Sequence, residues 1–103
     1  MAVITLKDSN FEQEVLASET PVLVDFWAPW CTPCRMLSPT VDTIAQELAG
    51  RIKVGKVNID EQPELAERFR VMSIPTLMVF KDGRLVDSTV GVQPKPAILR
   101  MLE

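Results

Sequence analysis

Val24-Asp25-Phe26-Trp27-Ala28-Pro29-Trp30-Cys31-Thr32-Pro33-Cys34-Arg35 is the stretch that decides the fold. It opens inside an apolar run, Val22 to Ala28, in which apolar residues do not alternate with polar ones. A run that is apolar on both faces reads as a central strand covered on both sides. Asp25 is its only charge, and Pro29 and Trp30 end it. From about Thr32 to Leu48 the pattern changes to helical, with Met36, Leu37, Val41, Ile44, Ala45 and Leu48 recurring at helical spacing. Gly50 suits the C-terminal cap of this helix, and Pro39 should kink it.

Outward from this unit, Val3 to Leu6 is a short β-like run. Ser9 with Glu12 three residues on reads as a capping box. It opens an amphipathic helix through about Ala17, with Phe11, Val15 and Leu16 on its apolar side. Ile52 to Ile59 is a strand, and Pro63 lies near the start of a helix that runs to about Phe69. Thr76 to Phe80 and Leu85 to Val90 are strands joined by Asp82-Gly83, a strong two-residue hairpin signal. Pro94 to Leu102 is a final helix with Ile98, Leu99 and Leu102 facing inward. The order β-α-β-α-β-α-β-β-α combines parallel strands joined by right-handed crossovers with a late antiparallel pair. The expected fold class is α/β, with a mixed central sheet and helices on both faces.

At 103 residues the chain is expected to form one domain over residues 1–103. Apolar residues make up 47% and charged residues 24%, which argues for a packed core and against disorder. With 11 basic and 14 acidic residues the net charge is −3. No basic stripe marks a nucleic-acid partner, and no apolar stretch approaches the ~20 residues of a membrane span. Met1 to Asp8 has neither the basic start nor the apolar core of a signal peptide, so a cytoplasmic location is expected.

The two cysteines, Cys31 and Cys34, stand within four residues of each other, and histidine is absent. A bridge across so small a loop constrains little of the unfolded chain. Zinc requires about four ligands, so a zinc site would need a second subunit. Chemistry is the better explanation. The positive end of the helix dipole and its free N–H groups favour a thiolate at Cys31, the first of the pair. Cys34 lies one turn on, on the same face, and should be the more shielded thiol. Cys31 then attacks a substrate disulfide, and Cys34 resolves the mixed disulfide. Pro33 stiffens the turn and fits the first turn of the helix, where a missing N–H costs little.

The stretch from Val24 to Arg35 resembles the active-site segment of the thioredoxin family. Ile74-Pro75-Thr76 is similar to that family's cis-proline loop. Val57-Asn58-Ile59-Asp60, Phe80-Lys81-Asp82-Gly83 and Val90-Gly91 match further family segments. The resemblance spans essentially the whole chain. It implies a five-stranded mixed sheet flanked by four helices, and a protein-disulfide reductase that takes electrons from a thioredoxin reductase. It implies no cofactor of its own, and a monomer is expected. One departure is central: Thr32-Pro33 stands where most members have Gly-Pro between the cysteines. Related oxidants and isomerases usually place a histidine in this dipeptide, and its absence favours a reductant. Two other readings remain open, an oxidant or isomerase on the same fold and a subunit that docks partners without turnover.

Further residues carry two readings each. Asp25, six residues before Cys31, is either the base that deprotonates Cys34 through water or an edge aspartate satisfied by backbone. Burial raises the pKa of such a carboxyl and suits it to proton transfer near neutrality. Lys56 is either a solvated strand lysine or, as the resemblance implies, a charge that tunes Asp25. Pro75 is an ordinary strand-entry proline by base rate. The resemblance instead implies a cis bond that frees the backbone of Ile74 to pair with an extended substrate. Trp30 is expected to be partly exposed and to form a contact platform with Ile74 and Gly91. Gly91 otherwise reads as a turn. Thr32 and Pro33 complete the candidate substrate-binding set. The five methionines read as core filler.

Overall fold

In the computed structural model, which describes residues 3–103, the run Val22–Trp27 forms β2 at the centre of a five-stranded sheet. The other strands are β1 (Val3–Thr5), β3 (Lys53–Asn58), β4 (Thr76–Lys81) and β5 (Arg84–Val90), in the order β1-β3-β2-β4-β5. β1 and β2 both run parallel to β3, whereas β4 is antiparallel to β2 and β5 antiparallel to β4. The sheet is therefore mixed, as the order of elements requires.

Successive side chains of β2 leave on opposite faces, and this divides the core in two. Val22, Val24 and Phe26 pack with Phe11, Val15, Leu65 and Phe80 on one side. Leu23 packs on the other with Leu37, Val41, Ile44 and Ala45 of α1 (Thr32–Glu47) and Ile98 of α3 (Lys95–Met101). A strand with helices on both faces has no solvated side, which is why β2 lacks the usual polar alternation. Asp25 is the exception, and it faces the α1 side. α2 (Pro63–Arg68) supplies Leu65 to the first cluster.

The first helical segment corrects the expected capping box. Ser9 is exposed in a turn and caps nothing; Phe11 precedes the helix, with no side-chain cap. Asn10 does the local work instead. Its Oδ1 accepts from the Lys7 N–H at 2.7 Å, and its Nδ2 donates to the Thr5 carbonyl at 3.0 Å. Glu12–Leu16 is a π-type turn in which the Ala17 N–H donates to the Glu12 carbonyl at 2.8 Å. Phe11 and Val15 still reach the core.

α1 continues through Pro39 as one element. The hairpin between β4 and β5 turns at Asp82 (φ 53°) and Gly83 (φ 78°), and the paired positive angles belong to a type I′ turn. β5, at the sheet edge, is almost wholly exposed. Among the described residues, no helix is long and apolar enough to cross a membrane.

Candidate active site

β2 ends at Trp27 and α1 begins at Thr32, so the four residues between them form the rim where the sheet meets the helix. Cys31 is the N-cap of α1. Its Sγ accepts the Cys34 N–H at 3.2 Å, in the position a serine or aspartate oxygen takes in an ordinary cap. Pro33 stands in the first turn, where its missing N–H orphans no acceptor. Cys31 and Cys34 are joined in a disulfide, with Cα atoms 5.3 Å apart. Burial does not separate the two residues, at 5% and 4% exposed. Their surroundings do. Cys31 Sγ lies 3.8 Å from the Ile74 carbonyl oxygen, whereas Cys34 lines a small cavity beneath the rim.

The Ile74–Pro75 peptide bond is cis. Among the described residues the N–H and C=O of Ile74 pair with no backbone group, while the Gly91 N–H donates to the Pro75 carbonyl at 2.8 Å. Gly91 has a φ of +96°, and an added Cβ would meet nothing within 4 Å. Glycine is required here by backbone conformation, not by a close neighbour. Trp30 is 65% exposed, and its Nε1–H donates to Asp60 Oδ2 at 3.0 Å. Asp60 belongs to the quoted segment Val57-Asn58-Ile59-Asp60, but nothing in the sequence pointed to its contact with Trp30. Arg35 closes the rim from below. Its guanidinium donates to the Pro29 carbonyl at 2.7 Å and to Thr32 Oγ1 at 3.2 Å, so the Thr32 hydroxyl is engaged by the guanidinium.

The cavity under Cys34, about 90 Å³, is lined by Asp25, Trp27, Arg35, Ser38 and Lys56. It is large enough for water. Asp25 is 2% exposed, and its Oδ1 has no hydrogen-bond partner among the described residues. Burial pushes this carboxyl up to about 7; the Lys56 charge opposes the rise and the Asp42 charge adds to it. The edge-aspartate reading, with backbone partners for the carboxylate, does not describe this group. Asp25 and Lys56 are side by side in the parallel β2–β3 register. Yet the Lys56 ammonium turns to α1, where it donates to Ser38 Oγ at 2.7 Å and pairs with Asp42 Oδ1 at 3.1 Å. Cys34, Ser38 and Asp42 follow at intervals of four on one helical face. That polar stripe between apolar positions was the available sign of Ser38 and Asp42.

Comparison with known proteins identifies the family. The family model described as Thioredoxin matches residues 2–103. Thioredoxin 1 of Nostoc sp. is 57% identical over 102 residues, covering 99% of this chain and 95% of that one. The thioredoxin of Synechocystis sp. is 53% identical over 98 residues, covering 95% and 92%. The chloroplastic M-type thioredoxin of Pisum sativum is 48% identical over 101 residues, covering 98% of this chain and 59% of that one. With a disulfide-forming pair at the head of α1 and identities of this size over nearly the whole length, the chain belongs to the thioredoxin family of thiol–disulfide oxidoreductases and is a protein-disulfide reductase.

Proposed function

We propose that the chain is a single-domain, monomeric electron carrier of the cytoplasm in which Cys31 attacks and Cys34 resolves. In the reduced protein the Cys31 thiolate attacks one sulfur of a substrate disulfide. The Cys31–substrate bond forms, the substrate S–S bond breaks, and one substrate thiolate leaves. Asp25 takes the Cys34 proton through water in the cavity, and the Cys34 thiolate attacks Cys31 Sγ. The second substrate thiolate leaves, and the protein is left with the disulfide described above. Two electrons pass from the protein dithiol to the substrate, and a thioredoxin reductase restores the dithiol. Lys56 favours the charged form of Asp25.

Trp30, Thr32, Pro33, Ile74, Pro75 and Gly91 form the substrate surface around Cys31, with the unpaired backbone of Ile74 offered to an extended chain. The cytoplasmic location is part of this proposal; the Pisum relative is named chloroplastic. One observation carries the assignment of roles: Cys31 Sγ caps α1 beside the Ile74 carbonyl, while Cys34 faces the Asp25 cavity.

The test is trapping. Cys34→Ser incubated with a protein bearing an accessible disulfide should accumulate a covalent adduct of the summed mass, released by dithiothreitol. Cys31→Ser should form none. Adduct formation by Cys31→Ser alone would reverse the two roles.

A further inference from the structure

Two polar groups at the walls of the Asp25 cavity are left incomplete by the protein. Asp25 Oδ1 is buried and accepts no hydrogen bond among the described residues. Ser38 Oγ accepts from the Lys56 ammonium at 2.7 Å. An ammonium has donors only, so the direction of that bond is fixed, and the Ser38 hydroxyl proton remains to be donated. Among the described residues no protein acceptor takes it. Ser38 and Asp25 line the same cavity, together with Cys34. A donor without an acceptor thus shares a water-sized space with an acceptor without a donor.

We propose that Ser38 is a positioning residue for the proton step at Cys34: it anchors the Lys56 ammonium at the cavity wall and directs its own hydroxyl proton into the cavity toward Asp25. This rests on the reading of Asp25 as the base. The groups concerned are few. Lys56 approaches from β3, Cys34, Arg35 and Asp42 belong to α1, and the β4 partner of Asp25 is the apolar Leu77. Without the serine oxygen, Lys56 retains only Asp42 as its charged partner and is drawn toward it. The cavity also loses a donor aimed at the carboxylate. Both changes disfavour ionised Asp25. Alanine is the best helix former and leaves α1 intact.

The experiment is a carboxyl titration of the oxidised protein by NMR, in wild type, Ser38→Ala and Ser38→Thr. A parallel measurement follows the rate of mixed-disulfide resolution against pH. The Ser38→Ala midpoint of Asp25 should rise by about 1, and Ser38→Thr, which keeps the hydroxyl, should return it. Resolution near pH 7 should then slow about fivefold in Ser38→Ala and converge with wild type in alkali, as the ionised fraction of the base dictates. An unchanged or lowered midpoint in Ser38→Ala overturns the proposal, since solvent would then serve the carboxylate as well as the serine does. Asp25→Asn separates the two claims. If it abolishes the pH step while Ser38→Ala moves nothing, Asp25 stands and Ser38 fails. If the step survives in Asp25→Asn, the base assignment fails, and the midpoint still decides whether Ser38 directs its hydroxyl to Asp25.

Discussion

Asp25 and Lys56 occupy paired positions on adjacent parallel strands, yet the Lys56 ammonium bonds Ser38 and Asp42 on the covering helix. The carboxylate therefore has a positive charge nearby but no direct ion pair. Burial dominates, and the group is held near neutrality instead of being ionised outright. An acid with that poise can both take and return a proton at physiological pH.

The same burial has a stability consequence. The folded protein holds the Asp25 proton up to about 7, whereas the unfolded chain releases it near 3.8. Between these values the folded state binds more protons, so stability is greatest below the lower value and falls as pH rises through the window. The total cost above pH 7 is on the order of 4 kcal/mol. Asp25→Ala should therefore raise the urea midpoint of the oxidised protein strongly near pH 9 and much less near pH 4. Equal effects at both pH values would show that the carboxyl is not the cause.

The two thiols of the reduced protein should differ in reactivity despite equal burial. Cys31 sits at the N-terminus of α1 with a backbone N–H directed at its sulfur. Limited iodoacetamide at mildly acidic pH, followed by peptide mass mapping, should label Cys31 first and Cys34 slowly. Preferential labelling of Cys34 would contradict the assignment of nucleophile.

Two glycines with positive φ should respond differently to alanine. At Gly91 only the backbone conformation is strained, and Gly91→Ala should cost about 1 kcal/mol of stability. At Gly83 a Cβ would also stand 2.7 Å from the Leu16 carbonyl oxygen, a backbone atom that cannot swing aside. Gly83→Ala should cost roughly twice as much or more. Denaturant titration of both variants tests the order. Substrate KM should rise in Gly91→Ala and stay near wild type in Gly83→Ala.

Trp30 tests the contact surface. It is 65% exposed, so Trp30→Ala should alter stability by no more than about 1 kcal/mol. It should raise KM for a protein disulfide while leaving the reaction with a small-molecule disulfide nearly unchanged. Loss of several kcal/mol of stability would make Trp30 a core residue instead.

Much of this was legible in the chain because local chemistry and periodicity act over short spans. The β2 run without alternation, the helical recurrence through Leu48 and the Asp82-Gly83 turn each report their own backbone. Apart from the first helical segment, which is a π-type turn over Glu12–Leu16, the elements appear with bounds shifted by a residue or so. The cysteine pair at a strand-to-helix junction identifies the chemistry, because a thiolate is favoured where N–H groups are free. The capping box failed for a local reason: Asn10 offers both a donor and an acceptor and engages the backbone of Thr5 and Lys7, ahead of Ser9.

Other features depend on what the sheet brings together. Asp60 reaches Trp30 across 30 residues, and Lys56 reaches Ser38 and Asp42 across the sheet–helix interface. The sequence by itself determined the order of elements, the central buried strand and the reactive pair, since these follow from hydrophobic period and side-chain chemistry along contiguous residues. Only the tertiary structure decided that Lys56 leaves Asp25 for α1, that Asp25 Oδ1 is buried without a partner, and that Gly91 meets Pro75. Those outcomes depend on strand register and on which groups compete for the same ammonium or carbonyl, and neither is encoded in any single segment.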